Sequence, residues 1–243
     1  MEEVLPAREL PNGGTRRATA LPALVEYLRG HPGALVGCDF PFSLPRELNL
    51  VGNDWHAFAG SFARRYSGPE DLRDACRRAL PGREYRRRCD LEANTPFAPY
   101  NLRIFRQTYY GIRDLLAPLA REGCSIVPFD PPARGRTSLF EACPASTLKA
   151  ANAKTLYRPY KGPGDPFAKQ RRRILDWAVK RFDARLPAPD RRTIIENTGG
   201  DALDSLLCIT CVLRGYLEVS GATARMGRLG RTEPYNGEGI VVF

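Results

Sequence analysis

Histidine is scarce in this sequence, which has only His31 and His56 in 243 residues. Its seven cysteines are scattered, and the one close pair, Cys208 and Cys211, has no second pair to complete the four soft ligands of structural zinc. A zinc site is therefore disfavoured, and we expect the pair to be buried as small apolar side chains. An odd number of scattered cysteines is typical of reduced thiols and favours a cytoplasmic location.

Several other features that define protein classes are missing. No apolar run is long enough to span a membrane, and the acidic, proline-containing start MEEVLPARELP is unlike a secretory signal, so no membrane partner is expected. Internal repeats are absent. The loop KGPG at 161–164 could hold a phosphate, but it lacks the spacing GxxxxGK[ST] of a nucleotide-binding P-loop.

Positive charge is in excess, with 37 Lys and Arg against 27 Asp and Glu and a formal net charge of +10. Such a balance favours polyanionic partners, above all nucleic acid, through phosphate neutralisation. Arginine outnumbers lysine, however, and a composition rich in arginine, alanine and proline is also typical of a GC-rich genome. Charge alone therefore favours nucleic acid only modestly.

Apolar runs alternate with helical patterns along the chain. Strands are predicted at 34–39, 124–129 and 137–143, with another in the closing EPYNGEGIVVF and a short one in EEVLPAREL. Helical patterns fill most of the remainder, and a long helix after residue 102 is expected to bend at Gly111 or Pro118. Strands separated by helices predict a single α/β domain over residues 1–243, with residues 50–120 as a mostly helical insertion.

Two acidic residues fall on the predicted strands. Asp39 ends the strand ALVGCD, a position where ligands bind in open α/β sheets, although it could instead brace the following proline-rich turn. Glu141 lies within the strand TSLFEAC. Glutamate is rarely buried unless it is paired or coordinates a metal, so Glu141 is either functional or exposed on an edge strand.

Two more acids open an apolar helix in the segment TGGDALDSLLCIT. Asp201 and Asp204 are three residues apart, so both carboxylates share one face of the first helical turn. One acid would suffice as a cap. The second repels the first unless a cation lies between them, and the preceding Gly199 and Gly200 allow another group to approach closely.

Taken together, Asp39, Glu141, Asp201 and Asp204 predict a carboxylate cluster that binds Mg²⁺ or Mn²⁺. Hard divalent cations prefer oxygen ligands, and phosphoryl transfer by two metals requires several converging carboxylates. The scarcity of histidine agrees with a site built from oxygen ligands alone.

Basic residues interleaved with aromatic residues are candidates for contacts with a strand of nucleic acid. Arg86 and Arg87 lie beside Tyr85, and Arg103 and Arg106 flank Phe105. The alternative is that these runs form an ordinary solvated helix face.

Four motifs in order, GCDFPFSLP, LFEACPAS, GGDALDSLLCI and EGIVVF, resemble the family catalogued as domain of unknown function 429. That family is regarded as a predicted nuclease of the ribonuclease H-like superfamily, and the similarity runs from about residue 34 to the end. DALDSLLCI is also similar to the last helix of Holliday-junction resolvases. The resemblance implies a mixed sheet flanked by helices and metal-binding roles for Asp39, Glu141, Asp201 and Asp204.

The start of the chain departs from that family pattern. Members of the superfamily begin with a strand that carries an aspartate, often as GxD, followed by a hairpin. No GxD precedes the first predicted helix here. We therefore expect the first strand or hairpin to be missing and favour an N-terminal truncation.

The leading hypothesis is a metal-dependent nuclease that hydrolyses phosphodiesters at a two-metal carboxylate site. A non-catalytic protein of the same fold, binding nucleic acid or a partner through its basic helices, is the alternative. A nucleotide-dependent phosphotransferase is a third possibility, although no phosphate loop supports it. The sequence does not distinguish DNA from RNA as the substrate, and it does not indicate an oligomeric state.

Overall fold

The computed structural model describes residues 5–151, 154–220 and 235–243, apart from the side chains of 214–220 and 236. This part of the chain has an α/β fold with one small sheet. No helix within it is long and apolar enough to cross a membrane. The described strands are β1 (Leu35–Cys38), β2 (Ser125–Val127), β3 (Ser138–Ala142) and β4 (Val241–Val242).

Strand β3 forms the centre of the sheet. It pairs with β1 along one edge, and with β2 and then β4 along the other. All of these pairings are parallel, whereas the resemblance implies a mixed sheet. Parallel strands require each connecting segment to run from the end of one strand back to the start of the next. Among the described strands, β1 has a partner only on the β3 side.

The four strands predicted at 34–39, 124–129, 137–143 and the C-terminus are confirmed, each one shorter than its apolar run. The short strand predicted in EEVLPAREL is not found in its described part. Ala7–Glu9 form a 3₁₀ turn there, preceded by Pro6, whose ring removes the amide hydrogen that a strand would use. Residues 2–4 of that prediction lie outside the described residues.

Helices make up most of the described chain. Residues 50–120, predicted to be mostly helical, contain several of them and a π-helical segment, Gly111–Leu116, where a bend was predicted. The helices are α1 (Arg17–Arg29), α2 (Trp55–Arg65), α3 (Pro69–Ala79), α4 (Arg88–Glu92), α5 (Phe105–Tyr110), α6 (Ala117–Arg121), α7 (Pro144–Ala150), α8 (Asp165–Phe182), α9 (Ala188–Glu196), α10 (Asp201–Ser220) and α11 (Tyr235–Glu238).

Helix α10 lies directly on β1 because Gly37 has no side chain. A Cβ at this position would lie 2.8 Å from Val212 Cγ2 and 2.9 Å from the carbonyl oxygen of Cys208, closer than real contacts allow. Cys208 and Cys211 are buried in the apolar layer between this helix and the sheet, in agreement with their prediction as small apolar side chains. The close packing brings the start of α10 to the carboxyl end of β1.

Candidate carboxylate site

Three of the four predicted acids lie near the carboxyl end of β1 and influence one another electrostatically. Asp39 follows β1 directly, and Asp201 and Asp204 occupy the first turn of α10. The charges of Asp201 and Asp204 both act on Asp39. Asp204 is buried, whereas Asp39 and Asp201 are reached by solvent. Asn197, not an aspartate, caps the helix, because its side-chain oxygen accepts from the Ala202 amide at 3.3 Å.

A lysine and a tyrosine from one loop complete this cluster. The Lys161 ammonium lies 2.6 Å from Asp204 Oδ2, and the Tyr160 hydroxyl donates to Asp204 Oδ1 at 2.5 Å. Lys161 also attracts Asp39 and Asp201 electrostatically. Lys161 therefore contacts one carboxylate and attracts two others, so the acids outnumber the cation here in a protein whose net charge is +10.

Arg171, which is 1% exposed, holds the loop that carries these two side chains through hydrogen bonds to its backbone. Its guanidinium donates to the carbonyl oxygens of Tyr160 at 2.6 Å and Gly162 at 3.0 Å, on either side of Lys161. It also donates to the carbonyl of Ile195 at 2.7 Å. A buried charge with three hydrogen bonds is a rigid support, so Lys161 is held at the acids by its backbone.

The predicted close approach at the two glycines is found at Gly200. Its φ of +81° favours glycine, and an added Cβ would lie 3.0 Å from Lys161 Cγ and 3.1 Å from the ring of Tyr160. The group that approaches is thus the loop with the lysine and the tyrosine. Glycine at this position lets α10 begin beside that loop.

Proton affinities in the cluster are shifted by burial and by the neighbouring charges. Desolvation, followed by repulsion from Asp204, Glu141 and Asp201, raises the pKa of Asp39 to about 7, although Lys161 opposes the shift. Burial also raises the pKa of Asp204 in spite of its bonds to Lys161 and Tyr160. Burial alone would lower the pKa of Lys161, but its bond to Asp204 and the surrounding carboxylates raise it. A second cation would be stabilised here, since it would relieve the repulsion between the acids.

Glu141, the fourth predicted acid, lines a cleft together with Asp39 and Asp204, and its charge acts on Asp39, but its carboxylate is bound by other groups. It is 4% exposed, and both of its oxygens accept from the guanidinium of Arg87, which is itself fully buried and also binds Asp90. Glu141 Oε2 accepts from the Phe42 amide at 2.8 Å as well. The alternative of an exposed edge residue is therefore wrong, and this carboxylate joins β3 to α4 and to the turn after β1.

The four predicted nucleic-acid contacts have different environments. Arg103 and Arg106 are exposed on the surface, although Arg106 is paired with Glu70 at 2.5 Å. Arg86 is half-buried and donates to the carbonyl oxygen of Thr95. The prediction is wrong for Arg87, because a guanidinium that is 0% exposed and enclosed by two carboxylates cannot reach a phosphate.

Two clefts meet at the aspartates. A cleft of about 330 Å³ lies on one side, with Asp39, Tyr160, Lys161 and Asp204 at its polar end. A wider cleft of about 600 Å³ follows the outer edge of β1 between α1 and α10 and reaches the same three residues Asp39, Lys161 and Asp204. A long substrate that fills both clefts would therefore pass over the acids.

The donor set suits a hard divalent cation in part. Asp39, Asp201 and Asp204 supply carboxylate oxygens, and the Lys161 ammonium lies where a positive charge is favoured. In the described ranges, however, no three Asp, Glu, His or Cys side chains are arranged to hold a metal ion. Metal binding at this site would require the Lys161 ammonium to withdraw, which its half-exposed side chain permits.

Sequence reasoning missed Tyr160, Lys161 and Arg171 as parts of the site. The segment KGPG carried a signal, since a lysine beside two glycines is typical of anion-binding loops. Its ammonium binds a carboxylate of the protein instead. Arg171 stands within the basic run KQRRR, where nothing distinguishes it from its exposed neighbours.

Fold and site define an α/β protein with a cluster of aspartates and a lysine at the carboxyl end of a parallel sheet. Comparisons of the chain with protein families, with curated proteins and with solved structures gave no match.

Proposed function

We propose that the protein is a metal-dependent nuclease that hydrolyses phosphodiesters at the cluster of Asp39, Asp201 and Asp204. The observation that carries the proposal is the ion pair of Asp204 and Lys161 at the junction of two clefts, within electrostatic reach of Asp39 and Asp201. The resemblance of the sequence to a predicted nuclease family of the ribonuclease H-like superfamily supports the same function. Mg²⁺ or Mn²⁺ is the proposed cofactor.

Each residue of the cluster has a proposed role. Asp39 and Asp204 would hold the cation, and Asp201, exposed at the rim, would complete the ligand set or orient water. The metal would supply charge neutralisation for the scissile phosphate and an activated water. Lys161 would position a phosphate oxygen once it has left Asp204. Glu141 and Arg87 would act only as buried supports.

A cleavage assay with Mg²⁺ or Mn²⁺ on labelled DNA and RNA, single- and double-stranded, tests the proposal. We expect cleavage by the wild type and a loss of at least 100-fold in Asp204→Asn, because the ligand charge is removed. Asp176→Asn is the matched control, since that exposed aspartate pairs with Arg191 and lines neither cleft. Activity that is unchanged in Asp204→Asn would refute the site assignment.

Metal binding has its own measurement, independent of cleavage. We expect Mn²⁺ to raise the thermal midpoint of the wild type, because a ligand that binds only the folded state stabilises it. The shift should disappear in Asp39→Asn and should grow in Lys161→Met, where the competing ammonium is gone. An equal shift in all three proteins would place the metal elsewhere.

One observation favours a second function, non-catalytic binding of nucleic acid. Lys161 already neutralises part of the acid cluster, as a structural ion pair would. In that case Lys161→Met would destabilise the fold without improving metal binding. Steeply salt-dependent binding of nucleic acid with no metal dependence would establish this function instead.

A further inference from the structure

We infer that the 330 Å³ cleft beside the aspartates is a pocket for a single nucleobase, unstacked from its neighbours in a strand of nucleic acid. The inference rests on the proposed function, and it names the part of the substrate that the site would recognise. Its elements are aromatic and aliphatic walls, a polar end at the acids, and an exposed arginine beside one of the phenylalanine rings.

The walls of the pocket are apolar and include two phenylalanines. Phe40, Phe97, Ile104 and three prolines line it. Nucleobases stack on aromatic rings whatever their sequence, because every base presents a π-face. A volume of about 330 Å³ lies at the lower end of the range for small-molecule pockets, which suits one planar group better than a duplex.

The ring of Phe40 is held in position by the helix behind it. A Cβ on Gly111 would overlap this ring. Phe40 therefore packs directly against the backbone of Gly111, the first residue of the π-helical segment. Single π-helical turns are often found at functional sites. The wall is therefore preformed and would not have to be ordered by a ligand, which lowers the entropic cost of binding.

Polar groups are placed for the edge of a base and for its phosphate. Gln107 is exposed and lines both clefts, and an amide side chain can donate and accept at a base edge. Arg103 lies with its guanidinium 5.2 Å from the centre of the Phe97 ring and is exposed. It can therefore neutralise a phosphate that flanks a base stacked on Phe97.

The position of the pocket relates the base to the acids. Asp39, Lys161 and Asp204 form the end shared with the wider cleft along β1. A base in the pocket would leave its adjacent phosphate at this junction. The substrate class that follows is a single strand, a loop or a frayed end, since a paired base would first have to be extruded from the duplex.

Calorimetric titration in Ca²⁺, which neutralises the acids in place of Mg²⁺ or Mn²⁺, with EDTA as a second condition, tests the pocket apart from cleavage. The probes are two trinucleotides, one with a single adenine flanked by abasic sugars and one that is wholly abasic, each as DNA and as RNA. We expect the adenine to increase affinity about tenfold or more, as stacking on an aromatic side chain does. Equal affinities for the two probes would overturn the inference.

Variants locate the binding site of the base. Phe97→Ala should reduce the adenine advantage to near zero by removing a wall, and Ile104→Trp should do so by filling the cavity. Tyr157→Ala is the control, since it removes an exposed aromatic side chain that does not line the pocket. An adenine advantage that survives both Phe97→Ala and Ile104→Trp would also overturn the inference.

The two proposals can fail separately. Base binding that depends on Phe97, in a protein that cleaves nothing with any metal, would remove the nuclease and keep the pocket. Metal-dependent cleavage by a protein that binds both trinucleotides equally would keep the nuclease and remove the pocket.

Discussion

Asp39 ionises less readily than an ordinary aspartate. Desolvation and the charges of Asp204, Glu141 and Asp201 raise its pKa to about 7 in the folded protein, against about 3.9 in an unfolded chain. Between these two pH values the folded state holds a proton that the unfolded state has lost. The contribution of Asp39 to stability therefore falls as the pH rises through this window and is most unfavourable above it.

We predict that Asp39→Asn raises the thermal midpoint at pH 8 by ~2–4 °C and has little effect near pH 4. The gain is smaller than the full pKa shift would imply, because solvent reaches Asp39 and screens its charge. Thermal denaturation at the two pH values measures the difference, with Asp176→Asn as an exposed control. An equal gain at both pH values would contradict the assignment of the titrating group.

Gly200 combines a positive φ with a close approach, and the two effects can be separated. We predict that Gly200→Ala destabilises the fold by ~2–3 kcal/mol, part from the φ of +81° and part from overlap with Lys161 and Tyr160. Gly123→Ala is the matched control, because φ is +86° there and nothing lies within 4 Å of an added Cβ. It should cost only ~1 kcal/mol in chemical denaturation.

Equal losses in the two glycine variants would mean that the loop at 160–161 moves away without cost. The position of Lys161 would then not depend on the start of α10. A larger loss in Gly200→Ala supports the tight packing between that helix and the loop.

At the scale of elements, the buried guanidinium of Arg87 joins α4 to the centre of the sheet. Arg87 directly precedes α4; it binds Asp90 on that helix and Glu141 on β3, and it donates to the carbonyl oxygen of Glu238 at 3.1 Å. We predict that Arg87→Met destabilises the protein by ~3–5 kcal/mol, because two carboxylates lose their partner in a buried site. Denaturant titration measures the loss.

Arg86→Met is the comparison for that prediction. Arg86 is half-buried and donates to a single carbonyl, that of Thr95, so its replacement should cost only ~1–2 kcal/mol. If both variants lost the same stability, the network of Arg87 and Glu141 would not be the link between α4 and the sheet.

Elements defined by local patterns were predictable from the sequence. The apolar runs that became β1, β2, β3 and β4 are continuous because both faces of such strands are covered, and Asp39 was correctly placed at a strand end. Asp201 and Asp204 were placed on one helical face by their spacing alone. These features depend on neighbours within a few residues, which a sequence pattern contains.

Features that depend on distant partners were not predictable. Nothing in the run REYRRRC at 83–89 separates the buried Arg87 from its accessible neighbours, since its partner Glu141 lies on β3, 54 residues away. The sequence alone left Glu141 as either a metal ligand or an exposed edge residue, because its pairing with Arg87 depends on the fold. Lys161 likewise reaches Asp204 only because Arg171 and Gly200 place its loop there.

At the scale of the whole molecule, charge is unevenly distributed. The chain carries +10 overall, but the carboxylates of Asp39, Asp201 and Asp204 gather where the two clefts meet. A polyanion would therefore be attracted by the protein as a whole and repelled at the acids unless a cation is bound. The basic surface would therefore supply most of the affinity for a polyanion, and the acid cluster with its cation would position one phosphate of it.

We predict that binding of single-stranded nucleic acid weakens steeply with salt and that Arg103→Gln reduces the slope of log K against log [salt] by ~0.7, the loss of one phosphate contact. Arg103 is the arginine chosen because it is exposed beside Phe97, a residue that lines the 330 Å³ cleft. Arg192→Gln is the control, in a cluster between α8 and α9 away from that cleft. Fluorescence anisotropy between about 50 and 300 mM salt measures the slopes. The Debye length falls by more than half over this range. Equal reductions in both variants would mean that the strand binds the surface diffusely, and no reduction in Arg103→Gln would exclude this cleft from its path.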